Sequence, residues 1–347
     1  MSVTIQDIAK VAKTSHATVS RALNDNPRIS LNTRKNIKKI AKNLGYTPSM
    51  VARALRSGRT YNIGLVVPDL TNPFYVEFLR GIEANIQQTN YQLIVVENCQ
   101  NVGQEKTNIE KLISLDCDGI ISTVSYMEPV KELVQECWDS KRPFFVRGLP
   151  CPEDLGDVKV DGSINVMSNG VEKAISHLVE LGHKKIVFIA SWAAEVHNGG
   201  RLKALKEAFE KHGLEFGSEN IIRRFSGNQL QDGYYASLDV VRKSPNVTAI
   251  ICTNDIVANG AMHALSEMGL KVPHDISVIG TDDTWLAKYW PIPLTSITMQ
   301  VAKNAEIAVK VILDRLSNDI WEEPKHISID TDLIIRQSTG PVRSISK

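Results

Sequence analysis

The sequence predicts a small all-α N-terminal domain of helix-turn-helix proportions, followed by an α/β core of two doubly wound parallel-sheet lobes. Three observations carry that expectation. Residues 4–24, TIQDIAKVAKTSHATVSRALN, place Ile5, Ile8, Ala9 and Ala12 on one face of a first helix and Val19, Ala22 and Leu23 on one face of a second. From Ile63 onward, short β-rich runs alternate with amphipathic helical stretches, the pattern of parallel strands joined by crossover helices. Charge is segregated: up to Thr60 there are twelve Lys and Arg against two Asp and Glu, a net +10, while the remainder holds 28 against 37, a net −9. The whole chain is only +1, so the basic excess points to a polyanion partner for the head alone.

The remaining bulk properties exclude several classes. With 347 residues, 43% hydrophobic and 23% charged, the chain suits two or three globular domains. Its five cysteines (Cys99, Cys117, Cys137, Cys151 and Cys252) are scattered and form no CxxC pair. Free, mostly buried thiols are expected, with neither a disulfide framework nor a metal site. There is no apolar N-terminal leader and no apolar run of membrane-spanning length, so a soluble cytoplasmic protein is expected, with no membrane partner.

Within the head, Thr4 is placed to cap the first helix with Asp7 three residues on, and Ser15 to cap the second with Thr18 in its first turn. Two helices joined by so tight a turn leave the second free to enter a DNA groove. A capped helix N-terminus carrying hydroxyls suits a phosphate, which fixes the depth of the reading helix. His16, Ala17 and Arg21 then face the groove. Arg21 suits a bidentate contact to guanine, and Ala17 is small enough to meet a thymine methyl. A third helix runs from a Ser30 cap to Leu44 and stops at Gly45, with Thr33 and Arg34 as candidate phosphate contacts. After Pro48 comes SMVARALRSG, helix-prone but too short to be stable alone. Its Leu55 could be a minor-groove wedge or could pack on the next domain.

These stretches, with NTRKNIKKIAKNLGY and TPSMVARALRSGRTYNIGLVVPDLTNPFY, closely resemble the LacI/GalR family of bacterial transcription regulators, and the resemblance continues to the end of the chain. It implies phosphate contacts from Thr4, Ser15, Thr18, Asn24, Thr33 and Arg34, and base reading by His16, Ala17 and Arg21. It further implies a hinge helix over Val51 to Ser57, with Ala52 and Leu55 entering the minor groove at the centre of a palindromic operator. The first two reading positions vary within the family, so His16 and Ala17 leave the operator sequence open. The implied organisation is 1–47 for the helix-turn-helix, 48–60 for hinge and linker, 61–161 with 292–324 for a first lobe, and 162–291 with 325–340 for a second. Such a core is periplasmic-binding-protein-like.

Doubly wound lobes bind ligands past the C-terminal ends of their strands, in the cleft between them. The residues there are Asp69, Thr71, Asn72 and Phe74; Arg147; Glu195, His197 and Arg201; Asn254 and Asp255; Asp282 and Asp283. Some of these carboxylates are expected to serve as caps or salt bridges instead. The resemblance implies effector contacts from Arg201, Asn254, Asp282 and Gln300, with an aromatic matching Phe74 stacked on the ligand. Two positions depart from familiar members: Glu195 stands where a purine-responsive relative carries an arginine, and Arg147 where relatives are usually apolar. Several Asp, Asn and Arg side chains with an aromatic platform suit a hydroxyl-rich ligand, so a sugar leads. Glu195 beside Asp282 favours an amino sugar, whereas Arg147 either neutralises Glu195 or binds an anion.

Catalysis finds no support: GxGxxG, GxxxxGK, HExxH and GxSxG are all absent, and no cofactor is called for. His177 and His183 are expected to cap a helix end. No leucine heptad follows Arg336, so a homodimer through the lobes is expected, as an operator of two half-sites requires. The rival readings are a sugar-binding protein without DNA function and a sugar-metabolising enzyme.

Overall fold

A computed structural model describes residues 3–46, 54, 58–99, 101–123, 127–149, 155–191, 200–318 and 321–342. The chain divides into two compact units, Met1–Thr60 and Tyr61–Lys347.

The head contains α1 (Ile5–Val11), α2 (His16–Leu23) and α3 (Leu31–Asn43). Each begins on a hydroxyl cap that satisfies otherwise orphaned N–H groups. The Asp7 and Thr4 side chains form a reciprocal capping box, the Thr18 N–H donates to Ser15 Oγ at 3.1 Å, and the Thr33 N–H donates to Ser30 Oγ at 3.2 Å. Ile8, Val19, Ala22, Ile37 and Ala41 form a small core of their own. Gly45, at φ +70°, supplies the left-handed residue that ends α3.

The second unit runs β1 (Asn62–Val67), α4 (Pro73–Ile86), β2 (Gln92–Glu97), α5 (Val102–Ser114), β3 (Gly119–Ser122), α6 (Lys131–Asp139), β4 (Phe144–Arg147) and β5 (Asp161–Val166). It continues α7 (Met167–Glu180), β6 (Ile186–Ala190), α8 (Gly200–Lys211), β7 (Ile221–Arg223), α9 (Gln229–Lys243), β8 (Ala249–Cys252), α10 (Asp255–Glu267), β9 (Ser277–Asp282) and β10 (Thr295–Thr298). It closes with α11 (Val301–Ser317), β11 (His326–Asp330) and β12 (Asp332–Ile334). One sheet has the order β2-β1-β3-β4-β5-β11 and the other β7-β6-β8-β9-β10-β12. All pairs are parallel except β10 with β12. The order reverses between β1 and β3 and between β6 and β8, so each lobe has a switch point where a ligand crevice opens. Val, Ile, Leu and Phe fill both faces of the central strands β1, β3, β4, β6 and β8, as full burial between helical layers requires, while the edge strands β2, β7, β11 and β12 are only partly buried. On the second lobe α9 and α10 touch backbone to backbone: a Cβ on Gly233 would stand 2.0 Å from the Val257 carbonyl oxygen.

The lobe boundaries differ from those expected. β10 belongs to the second sheet, and β11 to the first, paired with β5 from His326↔Gly162 to Asp330↔Val166. Strand and helix alternation locates strands but not the sheet each one joins. The chain therefore crosses between lobes at Val166–Met167, around Met299–Gln300, and at Thr331. These crossings are tied together. Thr331 Oγ1 donates to the Val166 carbonyl (2.7 Å), while Asn165 Nδ2 (3.2 Å) and Asn304 Nδ2 (2.8 Å) both donate to the Met299 carbonyl. His177 and His183 hold the C-terminal segment rather than capping α7: their Nε2 atoms lie 2.9 Å from Thr339 Oγ1 and 3.0 Å from the Gly340 carbonyl.

Candidate functional site

In the head, Val19 and Ala22 commit one face of α2 to the core, which leaves His16, Ala17 and Arg21 exposed on the other. The side chains of His16 and Arg21 make no hydrogen bond or ion pair among the described residues, so this face is free for a partner. Around it, Thr18 Oγ1 meets Ser15 Oγ at 2.9 Å, Asn24 caps the end of α2 by donating to the Ser20 carbonyl at 2.8 Å, and Thr4 is held by Asp7. Thr33 is exposed at the start of α3. Arg34 is partly spent on folding, since its Nη1 donates to the Asp25 carbonyl at 3.0 Å and braces the connection between α2 and α3. Lys38 grips Asp25 from the same helix at 2.6 Å, and that hydrogen bond holds the Asp25 carboxyl below its usual range. Ala52 and Leu55 lie outside the described residues.

The second candidate site is the interlobe cleft. Asn72 caps α4, accepting the Phe74 N–H at 3.0 Å, with Pro73 pre-set for the first helical position. The helix start therefore buries Phe74 and Tyr75, whose rings meet edge to face at 5.1 Å. Arg147 ends β4, and its guanidinium lies 4.3 Å over the Phe74 ring while Nη2 donates to Asn165 Oδ1 at 3.2 Å. From the second lobe, Arg201 at the start of α8 donates from Nη1 to Thr253 Oγ1 at 2.9 Å. Asn254 caps α10, accepting the Val257 N–H at 2.8 Å, and Asp282 ends β9. The lobes meet at Gln229, whose Oε1 accepts from Asn72 Nδ2 at 3.4 Å and from Asn254 Nδ2. They meet again where the Trp285 N–H donates to Glu77 Oε1 at 2.6 Å.

Arg147 is 4% exposed and Arg201 8%. Burial drives the Asp282 carboxyl well above its usual range, the Asp255 charge pushes it further, and Arg201 and Arg147 oppose the shift. Burial also lowers the pKa of both guanidinium groups and raises that of Tyr75.

Several candidates at strand ends prove to be structural. Asp255 is fully buried and accepts from Thr284 N (2.7 Å), Thr284 Oγ1 (2.9 Å) and Ser296 Oγ (2.6 Å), stitching α10 to the segments after β9 and in β10; burial pushes its carboxyl to about 7. Asp283 pairs with Arg336, and Asp69 accepts the Thr71 N–H in a tight turn at 2.8 Å. Gln300 is not brought to the cleft cluster. Its backbone is left-handed (φ +47°), and its Nε2 donates to the Asp330 carbonyl at 2.5 Å. It lines a separate cavity of about 280 Å³ with Asn169, Glu172, Lys173 and Asp330 to Asp332. Glu195 and His197 lie outside the described residues. Reasoning from sequence missed Tyr75 and Gln229. Gln229 follows β7, whose three residues are too few to announce a strand end.

Comparison with known proteins decides the family. The profile of bacterial regulatory proteins of the lacI family matches residues 4–49, and that of the periplasmic binding protein-like domain matches residues 175–339. An HTH-type transcriptional repressor PurR of Escherichia coli is 31% identical over 347 residues, covering 98% of each chain. The chain belongs to the lacI family. Among solved structures, the lac repressor dimer bound to operator and the anti-inducer ONPF has the same fold, with a TM-score of 0.83 and 23% identity over 98% of this chain and 100% of that one. A LacI family regulator of Enterococcus faecalis with bound ribose superposes with a TM-score of 0.69 at 26% identity, over 81% of this chain and all of that one. A lacI family chain is a DNA-binding transcriptional regulator with a ligand-binding core, not an enzyme. Among the described residues, no helix is long and apolar enough to cross a membrane.

Proposed function

We propose that this lacI family regulator binds a palindromic operator as a homodimer and changes its grip when a small polar metabolite enters the interlobe cleft. The observation that carries the reading is the uncommitted face of α2, with His16, Ala17 and Arg21 exposed behind a capped N-terminus on a strongly basic head. His16, Ala17 and Arg21 read base edges; Thr4, Ser15, Thr18, Asn24, Thr33 and Arg34 take phosphates; Ala52 and Leu55 enter the minor groove from the hinge segment. The dimer forms through the lobes. Exposed Leu230, Tyr235, Trp285 and Tyr289 on the second lobe are apolar surface that suits a partner subunit.

The effector lies among Phe74, Tyr75, Arg147, Arg201, Asn254 and Asp282, and a sugar is the leading class. Ribose in the E. faecalis regulator and the polar, hydrogen-bonding character of these side chains support that class. The amino-sugar refinement rests on Glu195 alone. Ligand binding changes the angle of the first lobes in the dimer, and that spacing decides whether two marginal hinge segments fold together on DNA.

Electrophoretic mobility shift on a palindrome selected from random duplexes tests the reading. The full chain should shift the duplex with steep salt dependence, and removal of residues 1–58 should abolish the shift. No shift by the full chain, or the same shift after removal, refutes it.

A further inference from the structure

The charges in the cleft specify more than a polar ligand. A guanidinium carries five N–H donors in a fixed fork. Among the described residues Arg147 spends one on Asn165 and Arg201 one on Thr253, and the buried Nε of each has no partner. Asp282 acts on both through space without hydrogen-bonding to either. Among the described residues, two buried cations therefore face a single carboxylate, and Arg201 repels Arg147. Such a pair is costly unless something satisfies it.

We infer that the effector carries an oxyanion, a phosphate monoester or a carboxylate, gripped between Arg147 of the first lobe and Arg201 of the second. This rests on the effector-cleft reading above and names its ligand class. Phosphate and carboxylate share the geometry that accepts two parallel N–H bonds from an arginine fork. A neutral sugar fills the hydrogen bonds but leaves the charge, and an amine adds to it. Because the two arginines come from different lobes, the anion is also a latch: their repulsion opposes closure, and an oxyanion between them turns it into attraction to a shared partner. Phe74 supports the latch, since the Arg147 guanidinium already covers a face of its ring. The polar remainder of the ligand then faces Asn254 and Asp282.

The test uses the full chain in chloride buffer, with melting temperature and calorimetric titration as readouts. The probes are inorganic phosphate, glucose, glucosamine, glucuronate and glucose 6-phosphate. Inorganic phosphate and at least one anionic sugar should raise the melting temperature saturably, by about 2–8 °C at a hundred times Kd. The larger response, glucuronate or glucose 6-phosphate, identifies carboxylate or phosphate. Arg147→Gln and Arg201→Gln should each raise Kd about 10- to 100-fold. Arg147→Lys, which keeps the charge and loses the fork, should fall between. Lys206→Gln, in an exposed pair with Glu210, should change nothing.

Silence toward all three anions overturns the proposal. So does a stronger response to glucose or glucosamine, or a phosphate response that survives both arginine substitutions and thus reports an adventitious ion only. If the protein still shifts its palindrome, such a result removes the anion and leaves the regulator. An anion response without DNA binding does the reverse.

Discussion

Glu105 gives the sharpest energetic prediction. It sits in the first turn of α5, is 2% exposed, and its Oε2 has no hydrogen-bond partner. Burial alone pushes its carboxyl from 4.5 up to about 8. In the unfolded chain the group loses its proton near its ordinary value, while in the folded chain it keeps it to the higher one. Between those limits the native state binds one more proton, so stability falls as pH rises, by about 1.4 kcal/mol per pH unit. Over pH 5 to 8 the full loss is about 4 kcal/mol, and water penetration trims it to roughly 2–4. Glu105→Gln keeps the shape and removes the titration. Urea titrations of the full chain at pH 5, 6, 7 and 8 should show the variant gaining on the wild type as pH rises, with the two alike near pH 5. Asp255 and Asp282 also titrate upward, but they are common to both proteins and cancel in the difference. Parallel stability curves across that range would show that Glu105 is ionised in the folded protein and that the reasoning is wrong.

Two further predictions concern other parts of the chain. Arg315 lies 4.9 Å from the Trp138 ring and 5.2 Å from the Trp321 ring and makes a two-pronged bond to buried Asp161 at 2.9 and 2.8 Å. Arg315→Met strands that carboxylate and should cost about 3–5 kcal/mol in chemical denaturation; a loss under about 1 kcal/mol contradicts a structural ion pair. Leu55→Ala should weaken specific operator binding while sparing weak, salt-sensitive binding to unrelated duplex, as read by competition gel shift, and equal loss of both removes the wedge role.

What could be read in the sequence was what local geometry decides. Thr4 with Asp7, Ser15 with Thr18 and Ser30 with Thr33 are contacts three residues apart, so spacing alone implies them, and all three are present. Phe74, Arg147, Arg201, Asn254 and Asp282 are found where strands end, so the general rule for doubly wound sheets located them without knowledge of packing. What that rule could not decide is which strand-end carboxylate stays in the cleft. Asp255 and Asp283 are consumed by Thr284, Ser296 and Arg336, which lie 29 or more residues away in sequence. Gln300 donates to the Asp330 carbonyl from a left-handed backbone at the second crossing, and no periodicity announces such a residue. The membership of β10 and β11 failed for the same reason: pairing partners are long-range facts.

The hydrogen bonds at the crossings bear on how the proposed effector moves this core. Arg147 in the cleft holds Asn165, Asn165 holds the Met299 carbonyl, and Asn304 holds that carbonyl from α11. The route from the cleft to the interlobe crossing is thus three hydrogen bonds long, with one charged donor at its cleft end. Each such bond contributes about 0.5–1.5 kcal/mol net, and the charged one about 1.5–3. Effector couplings between sites are typically 1–3 kcal/mol, so gain or loss of the Arg147–Asn165 bond alone is of the size needed. Polar interlobe contacts lie at Gln229 and at Trp285 with Glu77, beside a buried apolar cluster that draws on both lobes. Polar bonds of that kind exchange with water at small cost, whereas the apolar cluster does not. On the proposed function, an effector acts on the lobe angle through those polar bonds, the Arg147–Asn165 bond foremost.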